Sequence, residues 1–281
     1  MSRRWVLLLA VLLVWPAAVA AQQTLDLRAR ADEGTLVRRL FQIFTRVTLE
    51  DRVRGTTATS EIARLGGVSQ YGLSATDEEF SVHLALDSVR VRRRDAAAPW
   101  QEFAVTARDS QWVQLTLDRR LRVRRVIRPA SLVERGVLDQ ILVGIPGFTV
   151  PDRPIRTGDR WTVSLTLPGG TPGEDLELAS ERPVLLARGA VIVDSLVGRA
   201  RDTLAFLSIE GRIEPESATA ADGVLVVYGG RVNGTLVWSS GWGGVVSGAV
   251  RYEVVADEGG TSGRPSRRLQ IETTVRHAVL P

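Results

Sequence analysis

Asp87-Ser88 and Asp194-Ser195 are the residues of this 281-residue chain that come nearest to a catalytic pair. Each opens a nine-residue run, 87–95 and 194–202. The shared pattern is Asp-Ser-apolar, then arginine at offsets five and seven and aspartate at offset eight. Two carboxylates that share one proton can activate water. That chemistry wants a glycine after the serine, so that the backbone turns beneath the pair, and here Val89 and Leu196 stand there. The plainer reading is an Asp-Ser step on the solvent side of a strand. Paired carboxylates for glycoside hydrolysis have no defining spacing and stay open. Histidine chemistry is thin. His83 falls on the polar parity of its strand and His277 lies near the C-terminus, with no cysteine and no His-Glu-x-x-His run anywhere. These residues offer no zinc site, and there is neither a Gly-x-Ser-x-Gly elbow nor a phosphate-binding loop. The expectation is no cofactor, no metal and no catalytic residue that can be named.

Arginine carries the next signal. All 36 basic residues are arginine, and residues 88–128 hold eleven of them against four acids. Arg90, Arg92 and Arg94 share one face of a strand, and Arg122 and Arg124 share one face of another. On neighbouring strands they would form a band suited to phosphate or carboxylate; the alternative is a solvated outer face balanced by acids elsewhere. Trp100, Trp112, Trp161, Trp238 and Trp242 are expected mainly in core packing. An exposed groove lined by some of them would mark a lipid or polymer ligand.

The elements that must position these side chains read as sheet. Period-two alternation recurs at Leu25, Leu27 and Ala29; at Trp161, Val163, Leu165 and Leu167; at Val250, Tyr252 and Val254; and at Leu269, Ile271, Thr273 and Val275. This is the mark of antiparallel strands with one face on a core. Turns are expected at Asp118-Arg119-Arg120, Gly158-Asp159 and Ser239-Ser240-Gly241, and a two-residue hairpin at Gly229-Gly230. In the 35–53 segment Leu36, Leu40, Phe41 and Phe44 fit a helix, but its β-branched and aromatic content favours strand. One helix is expected at about 131–143. Ser131-Leu132-Val133-Glu134 is a capping box, Val133, Val137, Leu138, Ile141 and Leu142 form an apolar face, and Gly144 with Pro146 ends it.

The fold expected is therefore mainly β: a large antiparallel curved sheet or half-barrel, possible as two similar β units, with one helix. Residues 21–144 form an N-terminal unit with the closing helix, 145–159 a proline-rich linker, and 160–281 a C-terminal unit. The two units pack as one globular body.

Residues 1–20 have the layout of a cleavable signal peptide: Arg3 and Arg4, an apolar run from Trp5 to Trp15, Pro16, then Ala18-Val19-Ala20. Cleavage before Ala21 or Gln22 predicts a periplasmic or secreted protein with no transmembrane segment afterwards. The formal charge of +4 includes Arg3 and Arg4. A nearly balanced exported chain is a poor nucleic-acid binder, which would need a concentrated basic stripe.

The run Arg153-Pro154-Ile155-Arg156-Thr157-Gly158-Asp159-Arg160-Trp161 resembles uncharacterised secreted bacterial β proteins with a Gly-Asp-x-Trp step into a strand. The wider layout resembles the half-barrel of periplasmic lipoprotein carriers and related mycobacterial lipid-binding lipoproteins, and implies a curved sheet partly covered by helix. The leading expectation is non-enzymatic binding of an amphiphilic or anionic envelope component. Arg90, Arg92, Arg122 and Arg124 would meet charge, and Val137, Leu138 and Ile141 would close over the concave face. A structural or assembly partner of envelope proteins and a secreted hydrolase stay open as alternatives.

Overall fold

The computed structural model describes residues 23–96, 98–106, 112–127, 148–168, 184–199, 202–215, 217–219, 225–259 and 265–280. These form thirteen strands: β1 (Leu36–Asp51), β2 (Thr56–Ala75), β3 (Glu79–Asp95), β4 (Gln101–Thr106), β5 (Trp112–Asp118), β6 (Val123–Ile127), β7 (Arg160–Pro168), β8 (Val184–Arg199), β9 (Asp202–Ile213), β10 (Ser217–Thr219), β11 (Leu225–Ser239), β12 (Gly244–Gly259) and β13 (Pro265–Val279). All belong to one sheet, ordered β6-β5-β3-β2-β1-β13-β12-β11-β9-β8-β7, with β4 continuing the β5 side of β3 and β10 pairing β11. Every pairing is antiparallel, and β1 zips to β13 in the middle, so the chain meanders outward from the centre on one side and back in from the other. The expected helix at 131–143 lies outside the described residues, and the described residues contain no helix.

Burial selects the strand form of β1. Phe41, Ile43, Thr45 and Val47 share one parity and are buried, while Leu36 and Leu40, which a helix would have turned inward, are exposed on the other face. The same alternation makes β12 and β13 half-buried strands, with Val250, Tyr252, Val254, Ile271, Thr273 and Val275 inside. Gly229 and Gly230 do not form the expected hairpin. They lie within β11, opposite Val255 and Val254, because the strand runs straight through them. A Cβ at Gly230 would strike the Glu253 carbonyl, and one at Gly189 would strike that of Glu210, across from Gly211. Glycine is used here for the close approach of neighbouring backbones, not for turning the chain.

One buried cluster gathers side chains from both wings of the sheet, which folds over its own inner face. Two non-sheet segments fill that fold. Residues 25–31 of the 25–35 segment alternate as a strand would, with Leu27 and Ala29 fully buried, yet the segment's backbone joins the sheet only at isolated points. Leu25 exchanges hydrogen bonds with Ile155, the Ala29 N–H donates to the Arg119 carbonyl, and the Arg30 N–H donates to that of Gly243. The segment is thus a strap joining the β5–β6 turn to the β11–β12 turn. The proline-rich stretch supplies the second filler: Phe148, Val150 and Ile155 are buried, and Phe148 packs against both Trp161 and Trp238. Gly158, at φ +86°, makes the tight turn into β7 that the Gly-Asp step predicts.

Candidate functional site

The two Asp-Ser steps do not meet. β3 and β8 lie in opposite wings, with six strands between them. In each strand the aspartate is the bulged residue, and it accepts a hydrogen bond from a serine of the adjacent strand, Ser69 for Asp87 at 2.7 Å and Ser208 for Asp194 at 2.6 Å. That partner strand precedes β3 but follows β8, so the likeness is one of position and not of repeated chain order. Bulges bend strands and increase twist, which is a sufficient role for both steps.

The arginine band is an outer surface supplied with acids. Arg92 pairs with Glu102 at 2.9 Å and Arg124 with Asp118 at 2.9 Å, while Arg122 lies 3.8 Å from Asp152. Glu61, almost fully buried, receives both Arg94 and Arg46, and its carboxyl is held below the usual range by the Arg94 hydrogen bond first and then by Arg46. Arg90, Arg92 and Arg94 sit beside β4, whereas Arg122 and Arg124 flank the start of β3, so the two groups lie toward opposite ends of that strand. Val137, Leu138 and Ile141 lie outside the described residues. Among the described residues there is no cluster of three or more His, Asp or Glu that could hold a metal ion.

The concave side presents a different site. Beneath the strap lies a cavity of about 150 Å³, walled by Val68, Phe80, Val82, Leu84, Leu115 and Leu117. Its position follows from local sequence. Asp118 accepts the backbone N–H groups of Arg120 and Arg122, which tightens the β5–β6 turn and places Leu121, at φ +62°, against the cavity. Arg119 from this turn donates to the carbonyls of Ala29, Thr76 and Asp77, which fastens the strap to the start of β3. The β11–β12 turn, whose Gly241 lines the cavity, is held by Asp202, which accepts the Gly241 N–H and the Ser239 and Ser240 hydroxyls. Burial works to raise its pKa, and these hydrogen bonds together outweigh burial and hold it below the usual value. The turn so built sets half-exposed Trp242 at the edge of the cavity.

Three charged residues line the cavity: Arg30 and Asp32 on the strap, and Arg39 on β1. Arg30 is turned toward the Gly241 carbonyl. Arg39 stands on the inward parity of β1, donating Nε to Gln70 at 3.1 Å and Nη1 to the Val245 carbonyl at 2.8 Å. Burial pulls its pKa down to about 10. His277, also on the inward parity and opposite Phe41 and Gly248, has its Nε2 buried without a partner among the described residues. Burial first, and the Arg39 charge second, push its pKa down to about 4, so the ring is neutral at pH 7. The band reading passed over both residues. The signal for them was a charged or titratable residue on the apolar parity of an alternating strand: Arg39 between Val37 and Phe41, His277 after Val275.

Neither a protein-family model nor a curated protein sequence matches the chain. Among solved structures, one on lipid–protein interactions in lipovitellin superposes with a TM-score of 0.51 and 9% identity over 90% of this chain. The match spans 26% of the lipovitellin chain. At that identity the likeness is one of fold.

Proposed function

We propose that this is an exported, non-catalytic binding protein that holds a small amphiphile in the cavity beneath its N-terminal strap. The observation that carries the reading is an apolar wall enclosing about 150 Å³ that the side chains leave unfilled. Native interiors pack closely, and a space of this size takes a molecule of about benzene's volume. Backbone hydrogen bonds fasten the strap to the β5–β6 turn and to the β11–β12 turn, and so frame the space. The fold-level likeness to a lipovitellin region, in a structure concerned with lipid–protein interactions, is in keeping with such a ligand. The signal-like residues 1–20 support an encounter in the periplasm or outside the cell.

Titration of the delipidated protein with a fluorescent fatty acid tests this. Saturable uptake at one site is expected, and Val82→Phe should reduce it strongly while the protein stays folded, since the added ring fills the cavity. Absence of saturable uptake by the wild type would reject the reading and turn attention to the open sheet edges β6 and β7 as surfaces for envelope partners. N-terminal sequencing of exported protein should find Ala21 or Gln22 first; an intact Met1 or Ser2 on a membrane-bound form would contradict export by cleavage.

A further inference from the structure

We infer, on the footing of that reading, that Arg39 is the headgroup anchor of the cavity and that it selects a singly charged carboxylate on an apolar tail. Of the five N–H groups of its guanidinium, Nε–H goes to Gln70 and one Nη1–H to the Val245 carbonyl. Three donors, including both on Nη2, have no acceptor among the described residues. The two acceptors that are present are neutral, and no carboxylate among the described residues pairs with the group, although Arg39 lines the cavity. A buried cation is ordinarily paired, because desolvation without a counter-charge is costly. An unpaired guanidinium facing a cavity has the geometry to accept a planar carboxylate with two parallel hydrogen bonds.

The surroundings set the charge of the ligand at one. His277 adds no positive charge at neutral pH, and of the two charges that the strap brings to the cavity, that of Asp32 offsets that of Arg30. A phosphate monoester dianion would bring more charge than Arg39 can compensate. The volume limits the enclosed portion to the carboxylate and the first several carbons of the chain. The remainder has Trp242, half-exposed at the margin, to lie against. Gln70 is the positioning residue: its Oε1 fixes the Nε edge of the fork, so that the Nη edge is the one offered to a ligand.

Calorimetric titration of the delipidated protein with octanoate, 1-octanol and octyl phosphate separates the claims. The wild type should bind octanoate about tenfold or more tightly than octanol, the ratio expected of one charge-assisted hydrogen-bonded pair, and octyl phosphate more weakly than octanoate. In Arg39→Met the octanoate advantage should vanish while octanol affinity is retained and the melting temperature is not lowered. Arg39→Gln, which keeps a polar group beside Gln70, gives the same comparison should the methionine variant fail to fold. If wild type binds octanol as well as octanoate, or if the advantage survives in both variants, the anchor is overturned while amphiphile binding stands. Tighter binding of octyl phosphate overturns the single-charge preference. If none of the three probes binds, the functional reading falls and the anchor with it.

Discussion

The outer face around β3 and β6 and the inner face beneath the strap both present arginine, and they treat it in opposite ways. Outside, Arg92 and Arg124 each lie against a carboxylate, and the long side chains remain open to water along much of their length. Inside, Arg39 has a glutamine and a carbonyl and no acid. The outer pairs are a dense pattern in sequence with a small energetic consequence, because solvent screens them and ordering the side chains offsets the attraction. The inner arginine is a single residue in sequence, but its charge is felt, as its own lowered pKa and that of His277 record. Charge density along a chain is therefore a poor guide to where an arginine lacks a counter-charge.

The largest expected effect tests whether the inner face is a rigid frame. Trp238 is fully buried against Phe148, and Trp238→Ala should cost about 3–5 kcal/mol in urea unfolding. Its indole N–H has no partner among the described residues, so the loss expected is one of packing. An unchanged midpoint would remove the contrast with the outer face. Next is the acid limb of His277. With a folded pKa of about 4 against an ordinary 6.5, the unfolded chain takes up a proton in that window and the folded one does not. Stability should therefore fall as pH drops from about 6.5 to about 4, by at most about 3 kcal/mol. His277→Leu should flatten that part of a melting-temperature profile, and a profile identical to wild type would show the ring to be solvated.

A smaller effect belongs to the turn that borders the cavity. Asp202 has its folded pKa depressed, so its contribution is present above the unfolded carboxylate pKa and is lost as pH falls through the folded one. Asp202→Asn should cost about 1–2 kcal/mol at pH 7, and the gap between variant and wild type should close at the acid end of a thermal series. The smallest effect is on the outer face, where Arg92→Gln should change stability by no more than about 0.5 kcal/mol, and by less in high salt. A loss there as large as that of Trp238→Ala would abolish the distinction between the two faces.

Much of the sheet was legible in the chain. Alternation at 161–167, 250–254 and 269–275 marks β7, β12 and β13, because the period of a strand is fixed by covalent geometry and the core accepts one parity. The turns at Asp118-Arg119-Arg120 and Gly158-Asp159 were legible for the same local reason: an aspartate that caps its own turn, and a glycine where φ is positive. Gly229-Gly230 misled because glycine serves a turn and a close strand approach equally well, and only the neighbouring strand tells them apart. The alternation of residues 25–29 stated correctly which side chains are buried, but not that turn carbonyls, in place of a strand, would receive most of the backbone hydrogen bonds.

The candidate site was scarcely legible at all. Sequence by itself determined a β protein with a signal-like start, no cysteine and an arginine-rich stretch at 88–128, since these depend on residue type and on spacings of a few positions. Only the tertiary structure decided that β1 and β13 zip together, bringing Arg39 and His277 to one face across more than two hundred residues, and that two distant turns are strapped over a space the side chains leave open. Counter-charges and cavities are properties of what lies beside a residue in space, and in a meandering sheet the inner neighbours come from strands far away along the chain.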